Sequence, residues 1–111
     1  MPYIPAEHRA ELDALIEPLA KKLAARAALS EGDAAYAGLL NYAITQLALT
    51  VLRERFGTLR YWMIATTSGV FHNVADEFYR RVAHVYEDEQ REKQGDLPLF
   101  AELLKRGKAG P

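Results

Sequence analysis

The sequence contains no cysteine. That excludes a disulfide framework and thiolate chemistry, and it restricts any zinc site to histidine and carboxylate ligands. An excess of one charge is missing as well. The 14 Lys and Arg against 15 Asp and Glu leave a net charge of −1, so the chain as a whole carries no electrostatic footprint for a polyanion, and nucleic acid is not an expected partner. The N-terminus, "MPYIPAEHRAELD", lacks the basic segment and apolar run of a secretory signal. The longest nearly apolar stretch, "LLNYAITQLALTVL", reads as too short and too polar for a membrane span of ~20 residues. Gly-rich phosphate loops, a nucleophile elbow and zinc-ligand spacing are absent, and Ser68 and His72 are a serine–histidine pair without a third member. What these absences leave is a soluble cytoplasmic chain for which no cofactor, no metal and no membrane partner is expected.

What the sequence does have is helical periodicity. At 111 residues, half of them hydrophobic, the expectation is one α-helical domain over 1–111. The first helix is expected from Pro5 to Ala28, where Leu12, Leu15, Ile16, Leu19 and Leu23 recur at steps of three and four. Pro18 predicts a kink within it, because the apolar stripe continues in phase through the proline. "LSEGD" breaks the chain and offers Ser30 or Asp33 as an N-cap. A second helix is expected from Ala34 to Phe56. Leu40, Ala43, Ile44, Leu47 and Val51 share one face, and Tyr42, Leu49, Leu52 and Phe56 the roughly opposite one. A helix apolar on two sides should be covered on two sides, which makes it either the centre of the domain or part of a subunit interface. Gly57 ends it, and a long third helix is expected to reach Lys93 along Met63, Thr67, Val70, Phe71, Val74, Phe78, Val82 and Val85. Gly69 within that stripe suggests a close helix crossing. After "QGDLP", Asp96 and Pro98 can start a short helix carrying Leu99, Phe100, Leu103 and Leu104, before the basic tail "KRGKAGP". The fold class is therefore all-α: a compact three-helix core with the central helix buried on two sides, a short C-terminal helix, and assembly as a dimer.

"DEFYRRVAHVYEDE" packs eight ionisable side chains into fourteen positions, 76–89, with tyrosines not counted. Against the apolar stripe, Asp76, Arg80 and Glu87 point outward. Asn73, Glu77, Arg81, His84 and Asp88 instead follow one another at steps of four, four, three and four, in a row along the stripe's edge. Glu77–Arg81 and His84–Asp88 are both i,i+4 acid–base pairs. The row reads either as a network that fixes helix register or as a small-ligand site. On the second helix, Asn41 and Thr45 lie one turn apart between the two apolar faces; if Asn41 is buried it must find a partner. These seven polar residues are the binding candidates. Tyr79 and Tyr86, seven apart, join Tyr42, Leu49, Leu52 and Phe56 as interface candidates, because tyrosine is enriched in interfaces.

The "MPYI" start, "LLNYAITQL" and "EFYRRVAHVYEDEQREKQGD" together resemble a family of short uncharacterised proteins of bacteria, archaea and phages. Its members share MPYI, LNYxITxL and EFYRRVxxPYEDxKxxNGD-like segments, and the likeness extends over about residues 1–96. The resemblance places Asn41, Tyr42, Thr45, Glu77, Tyr79, Arg80, Arg81, Tyr86, Glu87 and Asp88 at motif positions. Val85 stands where the family usually has proline, Gln94 where it has asparagine, and His72 where it has glutamate. It implies no activity.

From the residues, two functional readings remain. One is a binding or interaction module, homodimeric and open to a protein partner. The alternative is a small all-α metal-dependent nucleotide hydrolase, in which Glu77 and Asp88, with Glu87 or Glu89, would have to gather magnesium to offset phosphate charge. The paired acidic signatures of such enzymes are missing from the sequence.

Overall fold

A computed structural model describes the backbone of residues 4–109 and the side chains of 4–104. Every regular element among the described residues is helical: α1 (Ala6–Ala28), α2 (Ala35–Phe56), α3 (Tyr61–Phe78), a π-helical turn (Tyr79–Ala83), α4 (His84–Gln94) and α5 (Pro98–Ala109). Contacts gather the chain into two units, Met1–Val70 and Phe71–Pro111.

In the first unit, Pro5 caps α1, and its carbonyl accepts from the N–H of His8 at 3.0 Å and of Arg9 at 3.2 Å. The helix runs through Pro18 rather than dividing into two there, and the exposed ion pair Lys21–Glu17 spans that turn at 3.1 Å. The α1–α2 packing lies near the hairpin end, where Leu23 and Ala27 of α1 and Leu39 and Ala43 of α2 are half-buried. Neither Ser30 nor Asp33 caps α2. The chain enters through Ala34, which already has α-helical angles (φ −83°, ψ −6°), and no side chain hydrogen-bonds the helix start. A side-chain cap requires an extended residue at that place.

Gly57 closes α2 in the left-handed conformation (φ 75°) and donates its N–H to the Arg53 carbonyl at 2.8 Å. Beyond it the Phe56 and Trp62 rings meet edge to face, 5.4 Å apart at 84°, with the Arg55 guanidinium 4.8 Å from the Phe56 centroid. Met63, 4% exposed, is the one buried residue among those described. Among the described residues α2 has no buried residue on either apolar face, so the cover expected on its two sides is not provided within the first unit. Nor does Gly69 mark a crossing, since a Cβ added there would meet nothing within 4 Å.

α2 has the expected extent, but it differs from the expectation that its apolar stretch is too short and too polar for a membrane span. As a helix of 22 residues whose most apolar stretch has a mean hydropathy of 1.3, it is long and apolar enough by those measures to cross a membrane. The quoted fourteen-residue stretch understated it, because the helix extends uncharged toward its start through Ala35, Tyr36, Ala37 and Gly38.

In the second unit the expected single long helix is interrupted. Residues 79–83 wind as a π turn, with one residue more than an α-helical turn holds. The turn after α4 forms as the sequence indicated. Gly95 (φ 79°) donates to the Arg91 carbonyl, and the Asp96 carboxylate accepts from the Leu97 N–H at 2.8 Å, just before α5 opens with Pro98. The helix then runs to Ala109, into the expected tail; the side chains of that basic stretch lie outside the described residues.

Two glycines should respond in opposite directions to alanine. Gly57→Ala forces a Cβ into positive φ and is expected to destabilise by about 1 kcal/mol. Gly69→Ala, in a helix interior with open space, should stabilise by a similar amount. Urea denaturation of the two variants against the parent checks the sign of each.

Candidate functional site

The charged stretch of α3, the π turn and α4 resolves into two ionic forks, one on each side of the π turn. In the first, Glu77 sits between two guanidinium groups. Arg80 Nη2 donates to its Oε2 at 2.5 Å and Arg81 Nε to its Oε1 at 2.9 Å. The Glu77 side chain is only 20% exposed, whereas both arginines are largely in solvent. In the second fork Asp88 takes Arg91 on Oδ1, and His84 Nε2 lies 3.4 Å from Oδ2. Both i,i+4 pairs anticipated from the sequence thus form. Arg80, expected to point outward, joins Glu77, and Arg91 joins Asp88 from the next turn.

Between the forks a third contact bridges the π turn: the Tyr79 hydroxyl donates to Glu87 Oε1 at 2.7 Å across eight residues. In an uninterrupted α-helix the near neighbour two turns on is i+7, since seven residues make about 700°. The extra residue wound into the π turn brings i+8 to that place. Glu87 was expected to be solvated and Tyr79 to belong to an interface surface. Nothing in the sequence signalled this contact, since the steps of four from Val74 to Phe78 to Val82 are ordinary α-helical spacing.

The remaining candidates are dispersed. Asn73 is exposed. Thr45 donates to Asn41 Oδ1 at 3.4 Å, but both residues are exposed, so Asn41 is not the buried asparagine the sequence allowed for. Tyr79 and Tyr86 are both well exposed, as are Tyr42 and Leu49; Leu52 is half-buried, and Phe56 lies against Trp62.

A cleft of about 290 Å³ opens between α4 and α5 in the second unit. His84, Asp88 and Arg91 line its polar wall, and Phe100 and Leu104 its apolar one. The carboxylates here are already engaged, Asp88 by Arg91 and Glu87 by Tyr79. No group of three His, Asp or Glu side chains stands ready for a metal ion among the described residues.

The Glu87 carboxylate holds the Tyr79 phenol above its ordinary ionisation range, first through the hydrogen bond it accepts and then through its negative charge. A raised folded-state pKa means the contact is intact below the unfolded value and is lost as pH climbs through the folded one. Removing the charge with Glu87→Gln should return this tyrosine to the normal range. Ultraviolet difference titration, with Tyr79→Phe to identify the transition, checks it; an unmoved transition would mean that the contact does not form in solution.

No curated protein and no solved structure matches the chain. A family model does, over residues 1–97, which takes in α1 to α4 and stops just before α5. The chain belongs to the family described as Domain of unknown function (DUF6899).

Proposed function

We propose that this protein is a small cytoplasmic α-helical interaction module that works as a homodimer. The observation that carries the reading is the uncovered apolar surface of its helices. In α1, Leu15 is 71% exposed, and Leu12, Ile16 and Leu19 share its exposure; in α2 both apolar faces are open. Contiguous apolar patches beyond a few hundred Å² are uncommon on proteins that work as monomers and mark contact surfaces. Covering them returns roughly 25 cal/mol per Å². The polar row does not compete strongly as a catalytic centre, because each of its acids is taken up by its own cationic or hydroxyl neighbours.

A dimer unfolds by mass action, so its melting temperature should fall on dilution. Sedimentation in detergent-free buffer should give twice the chain mass, and the melting temperature should drop over a hundredfold dilution. A monomeric mass with a constant melting temperature would overturn the reading. So would a requirement for detergent, which would point to α2 as a membrane segment. Stabilisation by magnesium and a nucleoside triphosphate that is abolished by Glu77→Ala would replace it with the hydrolase.

A further inference from the structure

The pattern on α2 specifies more than a sticky face. From Ala35 to Phe56, steps of three and four alternate without a break through Gly38, Tyr42, Thr45, Leu49 and Leu52. That is the a/d spacing of a helix–helix seam, held for three heptads. It lies about 100° around the helix from the half-buried Leu39 and Ala43 at the hairpin contact, on a side where Tyr42 is 68% and Leu49 53% exposed. The two ends of the seam differ in size, with small residues at one (Ala35, Gly38) and large ones at the other (Leu52, Phe56), and Tyr42 and Leu49 flank Thr45 at the middle.

We infer that α2 pairs antiparallel with α2 of a second copy of this chain, about a two-fold axis at Thr45. This rests on the homodimer reading and specifies its interface. Antiparallel pairing sets Gly38 against the second copy's Leu52, Ala35 against its Phe56, and Tyr42 against its Leu49. Large then meets small at the two outer pairs, the condition for interdigitation, while Tyr42 and Leu49 supply the apolar contact on either side of Thr45. A parallel pair would stack small on small and large on large.

Three further observations support the second copy as occupant. Gly38 has no role within its own chain: a Cβ there would meet nothing within 4 Å, and glycine is the poorest ordinary residue in a helix interior. Close approach by another helix gives it one. Charge is also complementary only when the helices run oppositely. Glu31 and Asp33 precede α2 and form no ion pair among the described residues, while Arg53 and Arg55 lie in its last turn. Antiparallel pairing carries the basic end of one helix over the acidic approach of the other. Finally, an open groove of about 210 Å³ lined by Leu49, Leu52 and Leu59 leaves apolar room beside the large end of the seam.

The absence of native cysteine makes the test direct. A disulfide needs Cα atoms within about 7 Å. Thr45→Cys should therefore cross-link to itself. Asn41→Cys and Ala48→Cys, each silent alone, should cross-link when mixed. Gly38→Leu should weaken dimerisation roughly tenfold or more by overpacking the seam, with helical content by circular dichroism unchanged. If sedimentation gives a dimer but Asn41→Cys and Ala48→Cys each link to themselves, or no α2 cysteine links, the antiparallel interface is wrong and the dimer stands. A dimer unaffected by Gly38→Leu overturns the interface as well. A monomer at every concentration removes both.

Discussion

The structure depends on where its apolar surface goes. Isolated helices of fewer than about 12–15 residues are marginal in water, and even longer ones owe most of their stability to packing of an apolar face. Here the helices are well specified one by one, while their apolar faces stay in solvent: Leu15 on α1, Leu47 and Leu49 on α2, Phe78 at the end of α3 and Leu103 on α5 are all more than half exposed. Exposed ion pairs such as Lys21–Glu17 and Arg53–Glu54 contribute only about 0.2–0.5 kcal/mol each and cannot stand in for a core. Such open faces leave much of the available apolar stabilisation unused within each unit.

Within the first unit the corner between α2 and α3 holds Met63, the one buried side chain among the described residues. Its parts are local in sequence: a glycine that can take positive φ, an aromatic on each side of it, and Met63 one residue further on. A short link between two such anchors fixes the direction in which α3 leaves α2 without help from distant residues. The second unit is organised differently. Its order is polar and is carried along one helical path by the Glu77 fork, the Tyr79–Glu87 bridge and the Asp88 fork.

How much of this could be read beforehand follows from the range of each interaction. Helix type and extent were legible, because the three-and-four recurrence of apolar residues is a property of single segments. Gly57, Gly95, Asp96 and Pro98 announced their turns for the same reason. So did Glu77–Arg81 and His84–Asp88, which need only correct spacing. Coverage was not legible: apolarity on two sides of α2 states that cover is needed, not whether the same chain supplies it. The Tyr79–Glu87 contact escaped because spacing rules assume a uniform pitch, and the pitch changes inside that very interval. The absent cap on α2 escaped for a related reason, since Asp33 has the chemistry of a cap but the chain is already helical at Ala34.

The π turn has a consequence for how chain length and surface are related here. A turn wound with one surplus residue absorbs it locally, which is why Glu87, eight residues on from Tyr79, stands where i+7 would stand in a plain α-helix. Deleting a single position between 80 and 83 would restore the α pitch and leave α4 presenting the same face. Tyr86, His84 and Asp88 would keep their direction relative to Tyr79 although their numbers had moved by one. In this helix a one-residue length change is taken up inside the turn, and the face beyond it is insulated from it.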